Sequence, residues 1–210
     1  MDPPRGPIVA QWADPHLDYS DDEEERLAKN LHAIAARVHA GEFKYAPLNE
    51  ELLRSFHEHV FGGIRDFAGR SRGPGSGSDH LTFGPNRSPH KSEVPPRLSE
   101  IFLRLGQSIA SFDANPGDPT YELSAVHVAV WAHAEVIRVH PFEDGNGRTS
   151  RLLLDAILLR LGLRPIAFEI PKEEYRTALN LYYLSSDIEP LVDLALRVYR
   201  FLHLRQSPLR

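Results

Sequence analysis

A chain of 210 residues, with 41% hydrophobic and 25% charged residues, has the make-up of an ordinary globular protein with room for one substantial core. The absence of cysteine excludes disulfides and thiolate chemistry and suits a reducing compartment. A formal net charge of -5 argues against nucleic-acid binding built on overall basicity, though a local basic patch is still compatible with it.

Residues 1–20 are Pro-rich and aperiodic and read as an extended arm. They lack the apolar core of a secretory signal, and no apolar run in the chain could span a bilayer. A soluble cytoplasmic protein without a membrane or nucleic-acid partner is expected. Ser20 followed by Asp-Asp-Glu-Glu-Glu is an N-cap with an acidic first turn. Leu27, Leu31, Ile34, Ala35 and Val38 continue that helix until Gly41, within a segment 21–47 expected to pack on the core. Asn49 caps a second helix, with Leu52, Leu53, Phe56 and Val60 on its apolar face, and opens a domain expected over 48–205. His57 and His59 lie two apart on this helix, do not face one metal site, and are expected at the surface or its boundary.

Residues 69–80, rich in Gly, Ser, Arg and Pro, read as a flexible surface loop without phosphate-loop spacing. From His80 to Val94, Leu81 and Phe83 alternate with polar residues, and Gly84-Pro85-Asn86 is turn chemistry. A short β-hairpin and a plain irregular loop fit this stretch about equally; the hairpin is the reading adopted. A helix follows from Arg97 to Phe112, then a turn, then a helix from Thr120 to Val139 that is apolar almost all round and therefore central. His127 and His133, six apart, suit core or boundary hydrogen bonding better than joint metal binding. After residue 148 another helix buries Leu152, Leu153, Ile157, Leu158 and Leu161 and ends at Gly162. Pro171 opens the next helix, along which Tyr175, Leu179, Tyr182 and Tyr183 form either a core stripe or the lining of a base pocket. Glu189-Pro190 starts the last one. The pattern is a single all-α domain with one hairpin.

Between the two central helices stands His140-Pro-Phe-Glu-Asp-Gly-Asn-Gly-Arg-Thr-Ser-Arg151. Pro141 disfavours helical geometry at His140, so the imidazole sits where the first helix stops. Glu143 to Gly147 form a tight loop, and the second helix begins at Asn146 or Gly147. A helix N-terminus favours acidic residues, yet this one carries Arg148 and Arg151 on one face. Free N–H groups, the helix dipole and two guanidiniums converge, which is unfavourable alone and becomes a cradle once a phosphate is bound. Rules of local structure are broken mainly where function demands it.

This stretch resembles the signature of the Fic family, H-P-F-x-D/E-G-N-G-R-x-x-R, at every defined position. The resemblance extends more weakly from Leu48 to Leu202 and implies a Fic-like helical domain with a motif-bearing helix pair and a hairpin flap. It implies Mg²⁺-dependent transfer of AMP from ATP to a Ser, Thr or Tyr hydroxyl of a target protein. On that resemblance His140 is the general base, Phe142 anchors the loop and Asp144 holds Mg²⁺. Gly145, Asn146 and Gly147 form the anion hole, and Arg148 and Arg151 hold the outer phosphates. The flap formed by Phe83, Gly84, Pro85, Asn86, Arg87, Ser88, Pro89, His90 and Lys91 aligns the target.

The chain departs from the family in two places. The inhibitory pattern S/T-x-x-x-E-G/N is matched neither by Ser20…Glu24, which Glu25 follows, nor by Ser185…Glu189, which Pro190 follows. Restraint is therefore expected from a separate, antitoxin-like protein offering a carboxylate to Arg151, with Glu24 and Glu189 as candidates for a diverged internal inhibitor. The Gly-Asn-Gly loop also lacks the lysine of the kinase-like Doc branch, which favours nucleotidyl over phosphate transfer. Transfer of another nucleotide or phosphate-containing group, a catalytically silent nucleotide- or partner-binding module, and a metal-dependent hydrolase are the competing readings.

Overall fold

The computed structural model describes residues 18–166 and 172–204. The expected arm lies almost wholly outside these residues, and so does Pro171. Ser20 caps α1 (Asp21–His39) through a capping box with Glu23, and Asn49 caps α2 (Glu50–Phe61) by accepting from the Leu52 N–H. The hairpin forms, with β1 (Thr82–Phe83) antiparallel to β2 (Asn86–Arg87) and Phe83 opposite Asn86. Its two-residue turn needs positive φ at the first position, which Gly84 supplies at 56°, while Pro85 fixes the negative φ of the second.

A single 3-10 turn (Lys91–Glu93) leads into α3 (Val94–Ala114). This helix starts three residues earlier than the sequence pattern suggests, because Pro95 and Pro96 are tolerated in a first turn whose N–H groups have no intrahelical partner. The chain then runs through α4 (Tyr121–Val139), α5 (Asn146–Arg160), α6 (Lys172–Ser185) and α7 (Glu189–Leu204).

α4 and α5 form the centre. α3 and α7 pack on α4, while α1 and α2 pack on α5. The faces of α5 explain this arrangement. Leu153, Leu154, Ile157 and Leu158 enter the main core with α3, α4, α6 and α7. Leu152 and Ala156, four apart on another face, enter a second core built from Leu27, Ile34 and Val38 of α1 and Phe56, Val60 and Phe61 of α2. Among the described residues no helix is long and apolar enough to cross a membrane.

Leu153 is fully buried where α5 enters the main core, whereas Leu103 on α3 is 63% exposed. Leu153→Ala is expected to lower unfolding free energy by about 2–5 kcal/mol in urea titrations. Leu103→Ala should change it by no more than about 0.5 kcal/mol.

Candidate active site

The motif joins the carbonyl end of α4 to the amide end of α5. His140 caps α4 in the left-handed conformation (φ 52°, ψ 62°), the geometry its position before Pro141 leaves open once a sharp reversal is required. Its Nδ1 lies 3.1 Å from the carbonyl oxygen of Ile137. A carbonyl can only accept, so Nδ1 carries the proton and Nε2 is the basic nitrogen of the neutral ring. The Phe83 ring lies parallel to the imidazole, 4.2 Å away, so the flap covers one face of His140.

Asn146 closes the loop on itself. Its Nδ2 donates to the Phe142 carbonyl at 2.8 Å, and its Oδ1 accepts from the Phe142 N–H at 2.9 Å. Gly145 caps α5 at φ 75°, and a Cβ there would collide with the Phe61 ring. Phe142 is fully buried and stacks on His57 at 3.9 Å, and His57 stacks in turn on Phe61 at 4.6 Å.

His57 is therefore not the surface or boundary residue its spacing suggested; it is the buried floor of the loop. Its Nε2 donates to the Asp144 carbonyl at 3.1 Å, and its Nδ1 accepts from the Gly69 N–H at 2.9 Å. Burial lowers its pKa to about 4. A second proton on Nδ1 would set two donors against each other, so the ring stays neutral. The signal in the sequence was its place one turn after Leu53 on the apolar face of α2, which outweighs the polar type of the residue. His133 has the core hydrogen-bonding role expected of it: it is fully buried, with Nε2 2.7 Å from the Tyr175 hydroxyl.

The loop over 69–80 also differs from a merely flexible one. Arg72 is 1% exposed and donates from Nε to the His140 carbonyl at 2.9 Å. Glu143, from the motif, accepts from the Ser78 N–H and hydroxyl at 2.5 and 2.7 Å. Neither tether is visible in a sequence rich in Gly and Ser.

At the amide end of α5, Arg148 donates to Asp144 Oδ2 at 2.8 Å, and both side chains are buried. The pairing corrects the expectation of two uncompensated arginines, because the neighbouring acid of the loop neutralises one of them. Arg151 is partly exposed and is hydrogen-bonded to Tyr175; burial and the Arg148 charge lower its pKa. Asp144 Oδ1 accepts from the Gly145 N–H at 2.5 Å. The Tyr19 hydroxyl, from the residue before the α1 N-cap, donates to Asp144 Oδ2 at 2.7 Å. Arg65 lies over the Tyr19 ring at 4.2 Å and is held by Glu23 and by the Asp18 carbonyl. Burial, then the Asp144 charge, raise the Tyr19 pKa, so it stays a protonated donor.

These groups line a solvent-open cleft of about 650 Å³ that gathers His140, Asp144, Gly145, Asn146, Gly147, Arg148 and Arg151 with Leu81, Thr82, Tyr175 and Leu179. Of the four residues considered for a base pocket, Tyr175 and Leu179 are in the wall. Tyr182 and Tyr183 instead pack on α4, their hydroxyls donating to Glu135 at 2.6 Å and the Ala134 carbonyl at 3.2 Å. In the flap, Gly84, Pro85 and Arg87 are exposed, while Asn86 is tied to Asn180 at 2.9 Å. Ser88 accepts from the Leu81 N–H at 2.8 Å, Pro89 and His90 are half-buried, and Lys91 pairs with Asp79 at 3.0 Å.

The model of the Fic/DOC family matches residues 47–158, more than half of the chain, so this protein belongs to the Fic/DOC family. It is 42% identical over 72 residues to the protein adenylyltransferase Fic of Drosophila persimilis, a stretch covering 33% of this chain and 14% of that one. The chain thus spans only a small part of that relative. Its fold is that of a Fic-domain signalling protein from Bacteroides thetaiotaomicron (TM-score 0.64, 22% identity, 92% of this chain and 78% of the other). It is also that of the BepC protein of Bartonella tribocorum with bound AMPPNP (TM-score 0.66, 18% identity, 87% and 88%).

Neutral His57 gives the fold a defined acid sensitivity. Its pKa is 6.5 in a free chain and about 4 when folded, so the unfolded state takes up the proton first as pH falls. Its contribution is complete above pH 6.5 and is lost progressively down to about pH 4, a loss of roughly 3 kcal/mol. Urea unfolding across this range should show stability falling with pH, and less steeply in His57→Gln. An identical slope in the variant would remove His57 from this role. His133, lowered by burial to about 3, keeps the variant's slope from vanishing.

Proposed function

We propose that this cleft transfers AMP from ATP to a Ser, Thr or Tyr hydroxyl of a target protein, releasing pyrophosphate. The observation that carries the reading is a base whose Nδ1–H is fixed on the Ile137 carbonyl, next to a helix N-terminus with two arginines. In the proposed reaction His140 takes the hydroxyl proton at Nε2 as the oxygen forms its bond to the α-phosphorus. The bond from that phosphorus to the bridging oxygen breaks, and pyrophosphate carries the electron pair away. The N–H groups of the α5 N-terminus face the developing phosphate charge, and Arg148 and Arg151 hold the outer phosphates.

Asp144 fits Mg²⁺, being a carboxylate on the cleft wall beside the phosphate-binding amides, and a nucleotide's oxygens and water complete such a shell. Bound there, the ion supplies charge neutralisation of the phosphates. Tyr175 and Leu179 are proposed to meet the base. The flap, seated on His140 through Phe83, is proposed to align an extended target segment by strand pairing. The adenylyltransferase names of the relatives and the AMPPNP-bound neighbour support nucleotidyl transfer in general. The unit over 48–205, with 21–47 packed against it, is proposed as the catalytic domain.

Regulation is proposed at two points. A separate inhibitory protein would offer a carboxylate to Arg151. Within the chain, Tyr19 and Arg148 share the Asp144 carboxylate that the metal would need. Of the two internal candidates, Glu189 lies 3.5 Å from His127, in the half of α4 away from the motif.

The first test is incubation with each labelled nucleoside triphosphate and lysate, followed by mass spectrometry of the modified proteins. His140→Ala should reduce AMP transfer by at least about 10²-fold with ATP binding retained. Persistent single-turnover labelling would remove His140 from the base role. Tyr19→Phe should tighten Mg²⁺-dependent ATP binding in calorimetry and speed labelling. No change in either would show that Tyr19 does not compete at Asp144.

A further inference from the structure

We propose that Arg72, which lies 68 residues before His140 and outside the motif, is the positioning residue that fixes the backbone angle and tautomer of the base. The proposal rests on His140 acting as that base.

Arg72 is among the most deeply buried side chains of the described residues, at 1% exposed. A buried guanidinium ordinarily meets a carboxylate. This one spends its donors on backbone carbonyls instead. Nε reaches the His140 oxygen at 2.9 Å, Nη2 the Val139 oxygen at 3.2 Å and Nη1 the Ser78 oxygen at 3.0 Å. Its own N–H donates to the Pro141 oxygen at 2.7 Å. One residue therefore holds the consecutive carbonyls of 139, 140 and 141. Those of 139 and 140 are among the acceptors that a helix C-terminus leaves without partners and with partial negative charge.

The constraint matters because His140 is a non-glycine residue in the left-handed region. Such a conformation persists only where its surroundings over-determine it. A residue before proline otherwise prefers extended geometry, which would rotate the imidazole away from the Ile137 carbonyl. With that hydrogen bond lost, the Nδ1–H tautomer loses the carbonyl acceptor that selects it, and a proton on Nε2 disables the base. The loop carrying Arg72 is pinned in turn by Glu143, whose carboxylate holds Ser78 and whose charge opposes the lowering of the Arg72 pKa by burial. A lysine offers a point charge in place of the planar fork and can satisfy only part of this set.

The test compares full-length wild type, Arg72→Lys and Arg72→Gln by ¹⁵N NMR of the His140 ring and by transfer kinetics, with melting curves as the folding control. The wild-type ring should show a protonated Nδ1, and the Arg72 Nε–H should be slow to exchange. In Arg72→Gln the ring shifts should move to a tautomer mixture, and kcat should fall about 10²-fold with KM for ATP unchanged. Arg72→Lys should lie between. A folded variant with wild-type ring shifts and kcat overturns the proposal, as does a wild type whose Nδ1 is unprotonated or whose Arg72 Nε–H exchanges freely. The nitrogen shifts need no turnover. A wild type with no transfer activity would therefore sink the transferase reading while the shifts still decided the role of Arg72.

Discussion

Everything at the centre depends on how two helix ends of opposite polarity are joined by a few residues. The carbonyl end of α4 is negative and the amide end of α5 is positive. Left to themselves both ends would need water, and both are largely buried. The protein answers each with the opposite charge. Arg72 meets the carbonyls, and Asp144 meets the amide end. The proposed base sits at one pole and the proposed phosphate site at the other, so the separation that proton removal and charge stabilisation would need follows from helix polarity.

The second requirement is that the loop between the poles should hold one shape. Rigidity comes from below, through the stack of Phe142, His57 and Phe61, and from within, through the two Asn146 hydrogen bonds. His57 does what an apolar residue cannot. It fills an aromatic slot and also satisfies the Asp144 carbonyl and the Gly69 amide, groups that would otherwise be buried without partners. His57 enters this core with both ring nitrogens occupied.

The helices were legible in the sequence wherever caps and periodicity agreed, as at Ser20, Asn49 and Gly162. The contiguous part of the candidate site was legible too, since Pro141 ends α4 ahead of the loop and Gly145 takes the positive φ of its turn, but the left-handed conformation of His140 was not. What escaped was the part built from distant segments. Arg72 sits in a stretch whose composition speaks only of solvent, and its burial depends on where α4 happens to end. Tyr19 reaches Asp144 from 125 residues away. Tyr182 and Tyr183 share a stripe with Tyr175, but α6 rotates them toward α4, and a period of 3.6 cannot say which edge of a helix meets a cleft. The early start of α3 was hidden because paired prolines look like a break until they fall in a first turn.

The double burial of α5 carries a consequence for how this protein can change over time. Leu152 and Ala156 serve one core, and Leu153, Leu154, Ile157 and Leu158 serve the other, so this stretch of the helix has no outside. Drift normally accumulates on the wet face of a helix, and here there is none to absorb it. A change of volume at 152 or 156 has to be matched by a change in Leu27, Ile34 or Phe56, across a boundary between segments far apart in the chain. The motif is thus followed by a run of residues that can vary only in concert with partners, and α1 is bound to that run as closely as the motif loop is.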